Sequence, residues 1–354
     1  MIESQVSRSK ISGRVPLWPR VLAASAFVFV MFSGFQGDAW GQERHALLIG
    51  GLGGDADNTE RFLGFLRDTD AALQAAGVAA SQITVLAEAS GQEQPYVDGL
   101  SNDEGIRAAF RALNQRVGVD DEVIVMLFGH GSMAGGEARF NIPRRDLAAA
   151  DYAALLSALP TSTVRFVNTA SSSGPFVEAL SAPDRLVLTA TRSGQQRNQT
   201  RFPDHFVEAL QSDDADLNRD GNRSWAELFQ FAAEATLESF RAENKLPSEI
   251  ALLDADGDGT GMPIEELDDT LDAEAGARLW FSQGQLAQAL ATATGSQRQQ
   301  LEALIVQQRT LEDEVAAVRA TKASADEDEY YDALEDVLVR LARLSDEIDA
   351  VQGQ

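Results

Sequence analysis

The sequence predicts an α/β domain, a mainly parallel sheet with helices on both faces, followed by a C-terminal α-helical hairpin of coiled-coil type. Three observations predict it. From residue 44 onward, short apolar runs alternate with segments of helical period. The run Glu122 to Phe128 is almost wholly apolar, as a central strand buried on both faces requires. The last eighty or so residues carry apolar side chains at heptad spacing.

The elements follow in order. His45 to Ile49 reads as a strand that runs into Gly50-Gly51-Leu52-Gly53-Gly54. Thr59 to Ala76 reads as a helix, with Phe62, Phe65, Leu66, Thr69 and Leu73 on one face and Gly77 as its stop. Ile83 to Leu86 is a second strand. Ser101 with Glu104 forms a capping-box pattern for a helix through about Val117. Glu122 to Phe128 is the third strand, Ala149 to Leu159 a helix, and Val164 to Val167 the fourth strand. Pro175 to Leu180 is a short helix and Arg185 to Ala190 a fifth strand. Asp204 to Gln211 and Trp225 to Glu243 are helices. Leu301, Leu304, Gln308, Leu311, Val315 and Val318 follow a/d spacing, and so do Leu334, Val337, Leu341, Leu344, Ile348 and Val351. The register breaks between them at Ser324-Ala325-Asp326-Glu327, a second capping box, so two helices are expected to fold back antiparallel.

The chain of 354 residues carries a formal net charge of −26 and no cysteine. Such acidity argues against nucleic acid or anionic lipid as a partner, since both are polyanions. The missing thiols exclude disulfides, thiolate metal sites and cysteine nucleophiles. Arg8, Lys10, Arg14 and Arg20 precede the apolar run Val21 to Phe35, which is short for a membrane span. Ala39 and Gly41 then stand at −3 and −1 of a cleavage site. Residues 1–41 therefore read as a signal peptide, with an uncleaved anchor as the alternative. The expected location is exported, periplasmic or secreted, with no membrane contact after cleavage. The body divides into an α/β domain over 42–270 and the helical hairpin over 271–354.

Two loops carry residues with chemistry. The third strand runs into Gly129-His130-Gly131, and the fourth into Asn168-Thr169-Ala170-Ser171-Ser172-Ser173-Gly174. A histidine and a hydroxyl thus leave the same end of two strands, which is the placement a base and a nucleophile need. The amides of Gly131 and Ser171 are candidates for an oxyanion hole. His45 and His205 read as structural.

Leu48-Ile49-Gly50-Gly51, then His130-Gly131, then Ala170-x-x-Ser173-Gly174, together resemble the caspase–legumain type of cysteine peptidase, its legumain-like branch most of all. That branch has Ala-Cys-x-Ser-Gly at the nucleophile. Leu186 to Ala190 with Thr191-Arg192-Ser193-Gly194 resembles its substrate-pocket strand. The resemblance spans roughly residues 44 to 240. It implies a caspase-like sheet, His130 as the catalytic histidine, Gly131 as the oxyanion donor and Ser171 at the nucleophile position. A serine there lacks the thiol's acidity and needs a well-oriented base. Two readings follow. One is a pseudopeptidase that binds a peptide or protein partner. The other is an active peptidase or acyl hydrolase using Ser171 with His130, oriented by Asp55 or Asp57.

Asp216, Asn218, Asp220, Gly221, Asn222 and Glu227 match an EF-hand loop at positions 1, 3, 5, 6, 7 and 12. Calcium is the cation such oxygen donors suit, although Arg223 stands where paired hands have an aliphatic residue. Asp254, Asp256, Asp258 and Glu265 fit the same template over 254–265, with Gly261 and Pro263 departing from a standard hand. Gly51-Leu52-Gly53-Gly54-Asp55-Ala56, with Glu88 after the second strand, outlines a dinucleotide site and leaves a nucleotide-binding reading open. The last reading is a scaffold acting, or self-associating, through the C-terminal helices.

Overall fold

The computed structural model describes residues 43–218, 221–282, 293, 295–321 and 326–352. The expected signal peptide, 1–41, lies outside them. Among the described residues no helix is long and apolar enough to cross a membrane.

The centre is a seven-stranded sheet. Its strands are β1 (Arg44–Gly50), β2 (Ile83–Ala87), β3 (Gly99–Leu100), β4 (Glu122–Phe128), β8 (Val164–Asn168), β9 (Arg185–Thr189) and β11 (Leu252–Asp254). The order is β11-β9-β8-β4-β1-β2-β3, parallel throughout except for β11, which pairs antiparallel with β9. A small antiparallel sheet joins β5 (Gly131–Ala134), β6 (Glu137–Phe140) and β7 (Leu147–Ala148). A third pairing joins β10 (Arg223–Ser224) to β12 (Trp280–Ser282).

Strand alternation sends neighbouring side chains to opposite faces. Ala46, Leu48, Ile124, Met126 and Phe128 face one core. It is completed by α1 (Ala56–Ala75), α5 (Phe202–Gln211) and α6 (Trp225–Ala242). Leu47, Ile49, Val123, Val125 and Leu127 face the other core. That one is closed by α2 (Asp103–Arg116), α3 (Ala149–Ser157) and α4 (Phe176–Leu180). Parallel strands covered on both sides are therefore apolar on both sides, which is why β4 reads as a continuous run. At the amino edge of the sheet, Glu122 accepts from Arg44 at 2.9 Å and pairs with the buried Arg165 at 2.8 Å.

Some boundaries differ from expectation for local reasons. Helix α1 begins at Ala56 because Asp55 caps it, its carboxylate accepting from the Asn58 amide at 2.8 Å. Helix α2 is capped by Asn102, which accepts from Gly105 at 2.8 Å, and Ser101 is buried instead of serving as the cap. Between α6 and the C-terminal helices lie β11, α7 (Leu271–Arg278) and β12, which the periodicity of the sequence does not predict. Past them, α8 (Gly295–Ala320) and α9 (Glu327–Gln352) pack antiparallel, as contacts of Gln297 with Val351 and of Arg340 with Glu314 show. The heptad positions Leu301, Leu304, Leu311 and Val315 are buried with Val337, Leu344 and Ile348.

Glu249 caps α5 from outside the helix. One carboxylate oxygen accepts from the amides of Arg201 at 2.7 Å and Phe202 at 3.2 Å. The other has no partner among the described residues, and the side chain is buried. Burial pushes the carboxyl up from its ordinary 4.5 to about 7, against the amides that favour its charge. A folded pKa above the unfolded one means stability is greatest below about pH 4.5 and falls as pH rises to about 7. The loss from this group approaches about 3 kcal/mol. Glu249→Gln keeps the amide acceptor and removes the titration. Urea midpoints from pH 4.5 to 8 should therefore converge at low pH and favour the variant at high pH. Parallel curves would disprove the assignment.

Candidate functional site

The strand order reverses between β1 and β4. From β1 the chain moves to β2 on one side, and from β4 to β8 on the other. The crevice outside the carboxyl ends at such a point is where α/β sheets place their sites. The loops after β1 and β4 meet there at backbone distance. The Gly51 amide donates to the Phe128 carbonyl at 2.8 Å, and a side chain on Gly129 would start 3.0 Å from the Gly51 Cα.

His130 leaves β4 into this crevice and is half-buried. Its ring meets the edge of Phe62 at 5.2 Å and lies beside the Gly53 carbonyl. Burial lowers its pKa below the usual imidazole range. The nearby Arg61 charge adds to that, while the Gly53 carbonyl and the Asp55 charge oppose it. The imidazole is therefore neutral at pH 7.

Ser171 leaves β8 and is 4% exposed. Its hydroxyl donates to the Gly131 carbonyl at 3.0 Å and accepts from the Gly131 amide at 3.2 Å. The two loops approach so closely that a Cβ on residue 131 would fall 2.0 Å from the Ser171 carbonyl oxygen. Only glycine fits there. The structure thus brings Ser171 to Gly131, the residue expected to donate to an oxyanion. Among the described residues no hydrogen bond joins Ser171 to His130.

The other two serines serve the loop. Ser172 has a left-handed backbone, with φ of 55°, and donates to the Gly194 carbonyl at 3.1 Å. Ser173 shares a hydrogen bond with Thr191 at 3.1 Å. These bonds tie the Ser171 loop to the 191–196 loop after β9, where Met133 fills the space over Gly194. Thr191 lies in the stretch that resembles a substrate-pocket strand, whereas Met133 carries no signal in the sequence and only tertiary packing puts it at the crevice.

The carboxylates expected to orient His130 are occupied or outside. Both Asp55 oxygens go to Asn58, at 2.8 and 3.0 Å, and Asp57 is exposed in the first turn of α1. Beside that helix end lies a cavity of about 740 Å³ bordered by Leu52, Asp55, Thr59, Leu63, Glu88 and Tyr96. Glu88 accepts from Thr59 at 2.5 Å and from the Gly53 amide at 3.4 Å. A phosphate at this helix end would face the Asp55 carboxylate rather than free amides. At the opposite end of the sheet, His45 is buried with Nε2 3.4 Å from Asp121, and Glu43 completes that group. His205 lies 3.6 Å from Glu208 on α5.

In the first acidic loop, Asp216 accepts from the Gly221 amide at 2.8 Å. Glu227 accepts from Asn218 at 3.2 Å and from Ser224 as a capping box for α6. Asn222 lies between them, and Asp220 falls outside the described residues. In the second loop, Asp254 and Asp256 group with Asp272 of α7, a ligand atom of each lying within 4.8 Å of the others, and such a group can hold a metal ion. Asp258 accepts from Thr260 at 2.6 Å. Glu265 is exposed and lines a separate depression beside α6, so the residue that joins the aspartates is Asp272.

No family model matches the sequence, and no curated protein does either. Among solved structures, the protein GSU0716 from Geobacter sulfurreducens matches with a TM-score of 0.39 at 12% identity. The match covers 60% of this chain and 92% of that one. A likeness at that level carries no argument about function.

Two measurements check the site. Histidine resonances followed by NMR against pH should give His130 a midpoint below the ordinary value of about 6.5; a midpoint at or above it would mean the ring is wet. Gly131→Ala should cost about 1–3 kcal/mol in urea unfolding, because backbone meets the new methyl. A neutral effect would show that the two loops are free to part.

Proposed function

We propose that the α/β domain is a legumain- or caspase-like pseudopeptidase of an exported protein. Its crevice binds an extended peptide or a segment of a partner protein without cutting it, and calcium at the acidic loops is structural. One observation carries the reading: the Ser171 hydroxyl gives its proton to the Gly131 carbonyl, not to His130. A serine becomes a nucleophile only when a base can take that proton. A thiol at the same position would be partly ionised by itself. The surroundings nevertheless suit a peptide. The amide of Gly131 donates to the Ser171 hydroxyl, and β5 starts at that residue. On its other side β5 pairs with no strand among the described residues, so one edge is free for an extended segment to add to.

Self-association belongs to the C-terminal helices in this reading. Val306, Tyr331, Leu338 and Val339 are exposed there, beyond the side chains that the hairpin itself buries. Analytical ultracentrifugation of the full chain should show a dimer that is lost on deletion of residues 296–354. A monomer at all concentrations would remove this part.

A serine-directed fluorophosphonate should leave the protein unlabelled. Labelling that vanishes in Ser171→Ala would establish an active hydrolase instead. Ser171→Cys should gain labelling by thiol-directed peptidyl probes, at rates that depend on the peptide. The rate should fall about tenfold or more when His130→Ala is added, in keeping with a general base's contribution. Rates indifferent to both the peptide and His130 would sink the peptide-binding crevice.

A further inference from the structure

The second acidic loop is not closed by the residue that its spacing names. Asp254 ends β11 and is fully buried. One of its oxygens accepts from the Gly257 amide at 2.9 Å. The Ser181 hydroxyl faces the carboxylate without forming a well-aligned hydrogen bond to Oδ2, and neither atom has another partner among the described residues. A buried carboxylate oxygen without a donor is costly, and such groups are found paired or bound to a cation. Asp256 approaches from the loop, and Asp272 from the first turn of α7. Asp272 is 2% exposed and accepts from the amides of Ala255 at 2.6 Å and Asp256 at 3.1 Å through a single oxygen, Oδ1.

Three carboxylates thus converge in a group where two are buried and no Lys, Arg or His forms an ion pair with any of them among the described residues. Loop backbone and α7 hold the geometry, so the charges cannot relax apart. We propose that Asp254, Asp256 and Asp272 form a divalent-cation site that takes calcium, with Asp272 as the ligand from outside the loop and Glu265 not a ligand. The donors are all hard oxygens, the kind that calcium takes in its large coordination shell. The zinc alternative is disfavoured by the absence of nitrogen or sulfur donors in the group.

The consequence is mechanical. Asp254 belongs to β11, the antiparallel strand that closes the sheet beside β9. Asp272 belongs to α7, which packs against α6 through Gly276 and Ala226. A cation shared by the two staples α7 to the sheet edge. It also compensates charge at the end of the strand next to the one that leads into the 191–196 loop of the crevice. The inference rests on the calcium part of the proposed function and is independent of peptide binding.

The test is calcium titration of the full chain by calorimetry and by melting temperature, in wild type, Asp272→Asn and Glu265→Gln. Asp272→Asn keeps an oxygen acceptor for the Ala255 and Asp256 amides, so the loop retains its bonds; circular dichroism checks the fold, and Asp254→Asn serves as a second variant. Wild type and Glu265→Gln should bind alike and melt higher with calcium. Asp272→Asn and Asp254→Asn should each lose one equivalent of binding, or weaken it at least tenfold, with the matching part of the thermal gain. Full binding by Asp272→Asn, or loss in Glu265→Gln, overturns this ligand set while leaving calcium itself in place. No calcium heat and no thermal gain in wild type overturns the calcium reading as well.

Discussion

Every residue of β4 is buried, and a buried strand must hydrogen-bond along both of its edges. That requirement places β4 between β1 and β8, in parallel with each. Because all three strands run the same way, their following loops emerge at one end of the sheet. The Gly51, His130 and Ser171 loops therefore converge without any side-chain interaction needing to bring them together. The two cores on either face then fix the height of each loop, since sliding a strand by one residue would exchange its apolar faces.

Convergence is closer than catalysis requires. The Gly131 backbone lies against the Ser171 carbonyl, and the serine hydroxyl is held by both polar groups of Gly131. A buried hydroxyl satisfied in this way has little reason to turn toward His130, whose own ring packs on Phe62. Among the described residues Ser171 and His130 thus share the crevice without a hydrogen bond between them. Rigidity comes from the same bonds: Ser172, Ser173 and Thr191 bind the serine loop to its neighbour, so the crevice is formed before any ligand arrives.

The acidic loops show a different use of charge. In the first, carboxylates are spent on backbone amides, Glu227 serving the start of α6. In the second, Asp254 keeps an oxygen without a donor beside two other carboxylates. The same local pattern, Asp or Asn at alternate positions closed by glycine, thus ends in two different environments.

The sequence by itself determined the parallel α/β domain, the strands of its centre, the loops that carry His130 and Ser171, and the buried seam of the C-terminal hairpin. Periodicity reads these because each is set by which face of one element is apolar. The glycines at 135–136 join β5 to β6, and both have positive φ, as a two-residue hairpin turn needs. Only the tertiary structure decided that Ser171 faces Gly131 and not His130, that Glu88 and Asp55 turn to local donors, and that Asp272 replaces Glu265 beside Asp254. Each of these depends on the approach of segments far apart in the chain. An acidic residue in the first turn of a helix looks the same in sequence whether it favours the helix dipole or completes a cluster on a neighbouring strand.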